Sequence, residues 1–538
     1  MYDILISRGT VIDGSGSPGF KADVAVKDGF IKNIGDLNDD CSPAKRTIDA
    51  EGLIVSPGFI DTHAHSDGAL LINPQHSNGL RQGITTEILG QDGLSYAPLS
   101  HKNYLMYRQY LSGIYGLPPE NIVTDNVHGF LGNYDHKTSI NVAYPVPHGA
   151  IRLSTVGFHD KPLTGTFLDQ AKTLVADSME QGAIGLSTGL SYFPNSWSNT
   201  QELIELCKIV AQYEGVYITH LRDVLCERAF GEGMVSEALE IGRKSGVKIH
   251  FSHFRTGIEN AGKVNELMEQ IDSAKDEGVD CSLELYPYPT GSGFPLMFLP
   301  PESHEGGPDQ IMHILNHSIK RQRIADYIDE HHAWIANDGV VTFVQSQANI
   351  GILGKTFGDI AAGRQTSVGE AICSLLLEEK LAVGFLQSPP SSLGDWNQTS
   401  FDAVELLSRT DYMVGSDSIS SHSRPHPRAY GTFPKLLGRL RRKFGIMSLE
   451  DMIHRFTENP AKRFQLSGRG MIKIGYAADI VIFDSEHIID TATYEDPDQF
   501  PIGIPYVIVN GQMAVDSEKI TGSLSGHALR RSPSNSTH

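Results

Sequence analysis

The 538-residue sequence predicts an α/β protein: a (β/α)₈ barrel with a small β-sandwich domain and an inserted subdomain. Two observations support this fold. Short strand-like runs broken by turn residues occur near both chain ends, and strand-like runs alternate with helix-like segments between them. Such alternation is typical of β/α units around a parallel sheet, and the chain is long enough for eight units with insertions.

The two chain ends share a pattern of short hairpin strands. Apolar runs at Ile4–Ile6 and Val24–Val26 are separated by Asp-Gly turn signals, and similar runs recur at 478–483 and 506–512. Turns of this type connect neighbouring antiparallel strands. We therefore expect residues 1–55 and 465–525 to build the small β-sandwich domain together.

Residues 56–464 carry the alternating pattern and are expected to form the barrel. Residues from about 294 to 400 fit it poorly, because Pro300-Pro301 and a Gly-Gly-Pro sequence interrupt them. A long irregular stretch in a compact domain is often a functional insertion, so we predict a subdomain that could cover an active-site mouth. The polar residues 526–538 predict a flexible tail.

The amino-acid composition indicates which kinds of binding partner the protein is expected to have. Lys and Arg total 44 against 64 Asp and Glu, a net charge of −20, which disfavours nucleic acid and favours small-molecule chemistry. The five cysteines are scattered without a Cys-x-x-Cys motif, which is typical of a cytoplasmic protein. No signal segment or run of 18 uncharged apolar residues occurs, so no membrane partner is expected. The oligomeric state stays open.

The most informative segment is Pro57–His65, an apolar strand-like run that ends in two histidines two residues apart. Alternation along a strand places residues i and i+2 on one face, so His63 and His65 can reach one metal ion. The alternative is a pair of solvated loop histidines, because short motifs also occur by chance.

Further candidate ligands end other strand-like runs. His220, His253 and Asp417 each follow an apolar run, and catalytic groups of β/α barrels gather where strands end. Taken alone, each could be a buried structural histidine or a helix-capping aspartate. Their recurrence at successive strand ends favours a metal site.

Additional motifs extend over nearly the whole chain: Pro57–Asp67, Gly83–Thr86, Gly185–Leu190, Thr219–Arg222, Ser252–Arg255, Tyr286–Tyr288, Gly415–Asp417, His426–Pro434 and Gly475–Val481. In these motifs the chain resembles the amidohydrolase superfamily and, within it, the N-acyl-D-amino-acid deacylases, also called D-aminoacylases. The His-x-His and Gly-Ser-Asp elements are typical of the superfamily. The Tyr-Pro-Tyr and His-Pro-Arg-Ala-Tyr-Gly-Thr-Phe elements are more specific to the deacylases.

The resemblance implies a ligand set for one or two Zn²⁺ ions, with Mn²⁺, Co²⁺ or Fe²⁺ also possible. It places His63, His65 and Asp417 around one metal position, and His220 and His253 at the other.

One position departs from the family pattern. Asp92 occupies the position at which well-known members of the deacylase family have cysteine as a metal ligand. Its carboxylate could bind one metal ion or bridge two. Carboxylate oxygen is a harder ligand than thiolate sulfur. We therefore expect weaker zinc binding, acceptance of other divalent ions, or two metals instead of one. The alternative for Asp92 is an ordinary turn or helix cap.

The resemblance further implies hydrolysis of N-acyl-D-amino acids to a carboxylate and a D-amino acid. Asp417 is expected to act as general acid and base, taking a proton from metal-activated water and passing it to the leaving amine. The residues matched to substrate binding are Arg255, Tyr286, Ser292 and Arg428.

Two other functions stay open. One is opening of a cyclic amide or hydantoin-like ring, although no clear lysine for a carboxylated bridge is present. The other is a catalytically silent barrel that acts as a binding protein. Arg152, Arg222 and Arg424 could favour an acidic D-amino acid, but the sequence does not place them near the site.

Overall fold

The computed structural model describes residues 1–37, 43–222 and 227–531. The strands are β1 (Tyr2–Val11), β2 (Phe20–Lys27), β3 (Phe30–Gly35), β4 (Ala44–Asp49), β5 (Ile54–Pro57), β6 (Phe59–Asp61), β7 (Ile84–Ile88), β8 (Asn141–Ala143), β9 (Val146–Pro147), β10 (Gly185–Gly189), β11 (Val216–His220), β12 (Lys248–Phe251), β13 (Cys281–Leu285), β14 (Ser292–Gly293), β15 (Gly339–Val344), β16 (Val383–Gln387), β17 (Tyr412–Val414), β18 (Ile480–Phe483), β19 (Tyr506–Val509), β20 (Gln512–Asp516) and β21 (Lys519–Ile520). The α-helices are α1 (Asp67–Ile72), α2 (Ser77–Arg81), α3 (His101–Tyr110), α4 (Ser112–Tyr115), α5 (Val127–Leu131), α6 (His148–Thr155), α7 (Thr166–Glu180), α8 (Thr200–Gln212), α9 (Met234–Ser245), α10 (Val264–Asp276), α11 (Pro308–Asn316), α12 (Ser318–His331), α13 (Ile335–Asp338), α14 (Phe357–Arg364), α15 (Val368–Glu378), α16 (Leu393–Ser408), α17 (Arg428–Pro434), α18 (Arg441–Phe444), α19 (Leu449–Phe456) and α20 (Glu458–Arg463).

Strands from both chain ends lie in one nine-stranded sheet. Its order is β21-β20-β19-β18-β5-β1-β2-β3, with β4 paired to β1. The two ends meet where β18 runs antiparallel to β5, with Ile480 opposite Pro57. Apolar side chains of both ends, such as Ile6, Val24 and Ile508, form one buried cluster, so the sheet is stabilised by contacts between distant parts of the sequence.

Two parallel sheets occupy the middle of the chain. One has the order β17-β13-β12-β11-β10-β9, and the other has the order β6-β7-β8. The backbone N–H of Thr62 donates to Val414 O (3.1 Å), and that of Ile184 donates to Tyr144 O (3.0 Å), so hydrogen bonds connect the two sheets at both edges. The short strands are buried on both faces, as is typical of a parallel sheet covered by helices. The mixed α/β arrangement is consistent with the predicted barrel.

The helices after the central strands follow from local signals. The Asn199 side chain accepts a hydrogen bond from the backbone N–H of Glu202 (2.9 Å) and caps α8. That helix buries Leu203, Leu206 and Val210, which recur at helical spacing. Helix α9 ends at Ser245 and is capped by Gly246, whose φ of +73° suits glycine. Strands β10 and β11 are thereby each followed by a helix that buries an apolar face.

Residues 294–400 depart from the β/α alternation. They contain helices α11 to α15 and the strands β15 and β16. These two strands run antiparallel to each other and, together with β14 just before the segment, form a small sheet in the order β14-β16-β15. Trp334 and Phe385 from this segment line the cavity described below. The part of the predicted tail that is described, 526–531, is hydrogen bonded along residues 138–142: Gly526 N–H donates to Thr138 O (2.8 Å) and Leu529 N–H to Val142 O (2.7 Å). Residues 532–538 lie outside the described residues.

Among the described residues, no helix combines the length and apolarity needed to cross a bilayer.

Candidate metal and substrate site

Two groups of three potential metal ligands lie side by side. His63, His65 and Asp417 each offer one atom, and these atoms lie within 4.8 Å of one another; Asp92, His220 and His253 form an equivalent group. Asp92 connects the groups, since its Oδ2 lies 3.4 Å from His65 Nε2 and 3.7 Å from His220 Nδ1. The structure thus brings together all six residues predicted as ligands.

Each of the six comes from the C-terminal end of a central strand. His63 and His65 follow β6, Asp92 follows β7, His220 ends β11, His253 follows β12 and Asp417 follows β17. The carboxyl ends of parallel strands open on one side of the sheet, which is why residues more than 350 positions apart converge. The turn at Asp92 is therefore part of the site.

Three of the six have left-handed backbone conformations. The φ angles are +57° for Asp92, +38° for His253 and +52° for Asp417. A side chain at such angles costs of order 1–3 kcal/mol, and strain of this kind concentrates at functional sites. The surrounding structure holds these side chains in place against a local conformational preference.

Two buried carboxylates that sequence reasoning missed support the ligands. Glu284 on β13 places Oε1 2.5 Å from His63 Nδ1 and accepts the backbone N–H of His253 at 3.3 Å. Asp61 accepts the backbone N–H groups of Ser416 (2.8 Å) and His63 (3.1 Å). The available signal was a charged residue in each apolar strand, two positions before the first residue of the Tyr-Pro-Tyr motif and of the His-x-His motif.

The charges of the site favour a cation. Burial alone would lower the pKa of His63, but nearby carboxylates, Glu284 foremost, outweigh it and raise that pKa to about 10. Asp92 Oδ1 is buried without a hydrogen-bond partner among the described residues. Four imidazoles and two carboxylates form a donor set that suits Zn²⁺ or a similar divalent ion, so the residues present fit a metal.

The four predicted substrate-binding residues form one cluster, and Arg428 joins this cluster to Asp417. The guanidinium carbon atoms (Cζ) of Arg255 and Arg428 lie 4.5 Å and 4.6 Å from the centroid of the Tyr286 ring. Arg428 Nη2 donates to the Ser292 hydroxyl (3.1 Å), and Nη1 pairs with Asp417 Oδ2 (2.9 Å). Among the described residues Arg255 has no carboxylate partner, and its Nε is buried without a hydrogen bond.

A cavity of about 260 Å³ opens onto both groups of ligands and onto Tyr286 and Ser292. The remainder of its lining is largely apolar: Ile114, Tyr192, Met297, Trp334, Phe385 and Ile419.

Arg152, Arg222 and Arg424, which the sequence left unplaced, are not among the residues that line this cavity. Arg152 is buried against Glu202, with Nη1 2.8 Å from both carboxylate oxygens, and Arg222 pairs with Glu237 at 2.8 Å. Arg424 donates to the carbonyl of Glu495 and lies beside another cavity. The expectation that these arginines favour an acidic substrate has no support in this geometry.

Comparisons with known proteins agree with the site. The amidohydrolase family profile matches residues 46–276 and 360–515. A D-aminoacylase of Alcaligenes xylosoxydans xylosoxydans is 30% identical over 549 residues, covering 98% of each chain. The crystal structure of N-acyl-D-glutamate deacylase from Bordetella bronchiseptica, complexed with zinc and a phosphonate inhibitor, superimposes with a TM-score of 0.79 at 29% identity and covers 98% of this chain and 99% of that one.

A D-hydantoinase structure shares the fold at a TM-score of 0.56 and 16% identity, with 99% of each chain covered. The family profile covers well over half of this chain, and the D-aminoacylase similarity covers nearly all of it. The chain therefore belongs to the amidohydrolase family and, within it, to the N-acyl-D-amino-acid deacylases.

Proposed function

We propose that this protein is a metal-dependent hydrolase that cleaves the amide bond of N-acyl-D-amino acids and releases a carboxylate and a D-amino acid. The observation that carries the proposal is the position of the Arg255–Tyr286–Arg428 cluster next to Asp417 and two metal-ligand groups. Guanidinium groups suit the α-carboxylate of such a substrate, and the ligand groups suit amide hydrolysis. The relatives named above support the same reaction.

His63, His65 and Asp417 would hold one Zn²⁺ and His220 and His253 a second, with Asp92 between them; one ion, or another divalent metal, fits the same donors. When bound, the metal acidifies water and polarises the amide carbonyl. This chain's residues then have separate tasks. Asp417 accepts the proton of the attacking water and delivers it to the leaving amine. Arg428 holds Asp417 Oδ2, which leaves Oδ1 near His65 Nε2 at 3.3 Å.

The substrate's α-carboxylate would contact Arg255 and Arg428 together with the hydroxyls of Tyr286 and Ser292. Arg255 is suited to this task because its charge is otherwise unpaired among the described residues. The side chain of the substrate would lie against Ile114, Met297 and the other apolar residues of the cavity. Neutral, apolar D-amino acids are therefore preferred over acidic ones, since burying a carboxylate there is costly.

We propose that residues 56–464 close into a (β/α)₈ barrel, with β8 and β9 sharing one strand position and residues 294–400 forming a cover for its mouth. Residues 1–55 and 465–525 would form the β-sandwich domain. A cytoplasmic location without nucleic acid or membrane partners is proposed from the cysteine pattern and the net charge of −20.

The test is hydrolysis of paired N-acetyl-D- and N-acetyl-L-amino acids by metal-loaded protein. Turnover is expected for the D series, fastest for apolar side chains such as D-leucine and slow for D-aspartate. Asp417→Asn should lower kcat by about 10²–10⁴-fold, whereas the matched exposed change Asp516→Asn should leave it unchanged. Equal turnover of both series, or an active Asp417→Asn protein, would refute the assignment.

A further inference from the structure

A second cavity of about 370 Å³ lies beside the candidate active site and shares no lining residue with it. Its walls include the apolar or aromatic side chains of Tyr288, Pro389, Trp396 and Leu440. Tyr288 is two residues from Tyr286, and Pro427, also in the lining, precedes Arg428. The cavity is thus a separate space built partly on chain neighbours of the substrate-binding residues.

A buried lysine without a charged partner faces this cavity. Lys435 is 4% exposed, and its Nζ lies 3.8 Å from the ring centroid of Tyr288 and 5.4 Å from that of Trp396. Among the described residues it makes no ion pair or hydrogen bond. The other two cations of the lining are engaged: Arg439 pairs with Asp490 at 2.8 Å, and Lys443 donates to Asn397. Lys435 is therefore the cation of this lining that is buried and has neither an ion pair nor a hydrogen bond among the described residues.

The backbone around Lys435 has an uncommon geometry that orients several side chains into the same space. Residues Lys435–Leu440 form a π-helical segment directly after Pro434. Lys435, Arg439, Leu440 and Lys443 all line the cavity, because the wider turn brings residues four and five apart onto one face. π-Helical turns are rare and are frequently found at functional sites.

The lowered pKa of Lys435 is consistent with an ammonium group that has no anion in direct contact with it. Burial lowers the pKa of its ammonium group to about 8, and Asp490 only partly offsets this while Arg439 and Lys443 add to it. An ammonium group removed from water is costly unless an anion or hydrogen-bond acceptors reach it. Its contacts with two aromatic rings recover only part of that cost.

We propose that this cavity binds a small organic carboxylate, with the carboxylate on the ammonium of Lys435 and the hydrocarbon part against Trp396, Tyr288 and Leu440. A carboxylate supplies the anionic acceptor that the buried ammonium of Lys435 lacks among the described residues. The apolar walls favour a carboxylate with a hydrocarbon tail over a fully hydrated inorganic anion such as phosphate. This site is distinct from the substrate carboxylate site at Arg255 and Arg428.

Tryptophan emission gives a direct test with hexanoate as the probe. The chain has three tryptophans, of which Trp396 lines this cavity, Trp334 lines the active-site cavity and Trp197 is buried elsewhere. In a Trp334→Phe background, hexanoate should change the emission saturably, with a Kd on the order of 1 mM for so small a ligand. Phosphate at the same concentrations should leave the emission unchanged.

Variants locate the binding event. Lys435→Met keeps the aliphatic stem and should weaken hexanoate binding at least tenfold, whereas Lys435→Arg and the rim variant Lys443→Met should stay within threefold of the background protein. Circular dichroism verifies that each variant is folded, and Trp396→Phe should abolish the signal. An absent saturable change in the background protein, or unchanged affinity in folded Lys435→Met, would overturn the proposal; a response to phosphate equal to that of hexanoate would overturn the carboxylate assignment.

Discussion

Glu284 illustrates how a residue outside the ligand set controls it. Its Oε1 contacts His63 Nδ1 at 2.5 Å, and its other oxygen accepts the hydroxyl of Thr62. A carboxylate on the far nitrogen of a metal-binding histidine fixes the ring orientation and tautomer and increases the basicity of the ligand. Glu284 is thus a positioning residue for the proposed metal site.

Glu284→Gln should therefore lower metal affinity by about 10–100-fold, because the amide holds His63 less firmly. Competition with a chromophoric chelator measures this affinity. Glu266→Gln, on the exposed surface of α10, serves as the matched control and should leave it unchanged. Thermal unfolding of the metal-free variant shows whether it is still folded. A loss of metal affinity that is fully explained by unfolded protein would contradict the assignment of Glu284 as a positioning residue.

Arg255 allows a test of how the substrate carboxylate is held. Arg255→Gln should raise KM by about 10–100-fold with a smaller effect on kcat, because a charge-assisted hydrogen bond to the substrate is lost. The matched control is the same N-acetyl-D-amino acid as its carboxamide, whose KM should change little. A similar rise in KM for the carboxylate and the carboxamide would contradict carboxylate recognition by Arg255.

The sequence was sufficient to identify the six candidate ligands but not their supports. Five of these candidates stand at the ends of strand-like runs, where local pattern indicates them, and Asp92 was indicated by its match to the cysteine position of the resembling family. The role of Glu284 depends on contacts with Thr62 and His63, more than 200 residues away, and no local pattern encodes that proximity. The same is true of Asp61, whose partner Ser416 is 355 residues distant.

At the level of elements, a buried ion pair joins α6 and α8. Glu202 on α8 accepts Arg152 Nη1 at 2.8 Å and contacts His148 Nε2 at 2.8 Å, and all three side chains are fully buried. Burial alone would raise the pKa of Glu202, but Arg152 and His148 outweigh it and lower that pKa. Removing one partner of such a pair leaves the others buried and uncompensated.

Glu202→Gln should lower the free energy of unfolding by about 3–5 kcal/mol at neutral pH. Because the carboxyl pKa is depressed in the folded state, this contribution is present above the ordinary pKa near 4.5 and is lost as pH falls through the lowered folded value. Urea unfolding of both proteins at pH 7 and at progressively lower pH measures the difference. A difference that grows on acidification would contradict the assigned role of Glu202.

Residues 294–400 illustrate which features of an element the sequence alone does not specify. Proline and glycine breaks indicated a segment outside the β/α alternation, and the structure has antiparallel β15 and β16 there. The pairing of β14 with β16 joins residues almost 100 positions apart, which turn signals cannot specify. The sheet order of this segment was therefore not predictable from the sequence.

At the scale of the molecule, a buried polar network joins the nine-stranded sheet to the central sheets. Asp479, next to β18, accepts Asn141 Nδ2 from β8 at 2.9 Å and the backbone N–H of Asn510 at 2.7 Å. Arg469 also donates to it. Both the strands at the chain end and a strand of the central sheets therefore depend on one carboxylate.

Asp479→Ala should lower the free energy of unfolding by about 3 kcal/mol, because Arg469 and Asn141 lose their shared acceptor in a buried setting. The exposed change Asp516→Ala is the matched control and should cost under about 1 kcal/mol. Equilibrium denaturation gives both values. Equal stabilities for the two variants would show that the network does not join the two regions.

Local signals predicted strands at both chain ends, and family motifs predicted the amidohydrolase membership, which is confirmed. The order of strands in the large sheet was beyond the sequence, since placing β18 beside β5 requires contacts across more than 400 residues. The packing of residues 526–531 along 138–142 was likewise hidden, because polar composition does not reveal backbone pairing.

The central claim is that the two ligand groups hold a divalent metal required for cleavage of N-acyl-D-amino acids. The most direct measurement is metal content of the purified protein together with hydrolysis of N-acetyl-D-leucine before chelation, after chelation and after zinc is restored. The account predicts one or two ions per chain, loss of activity with the metal and recovery on its return. Full activity in metal-free protein, or bound metal with no turnover of any N-acyl-D-amino acid, would contradict it.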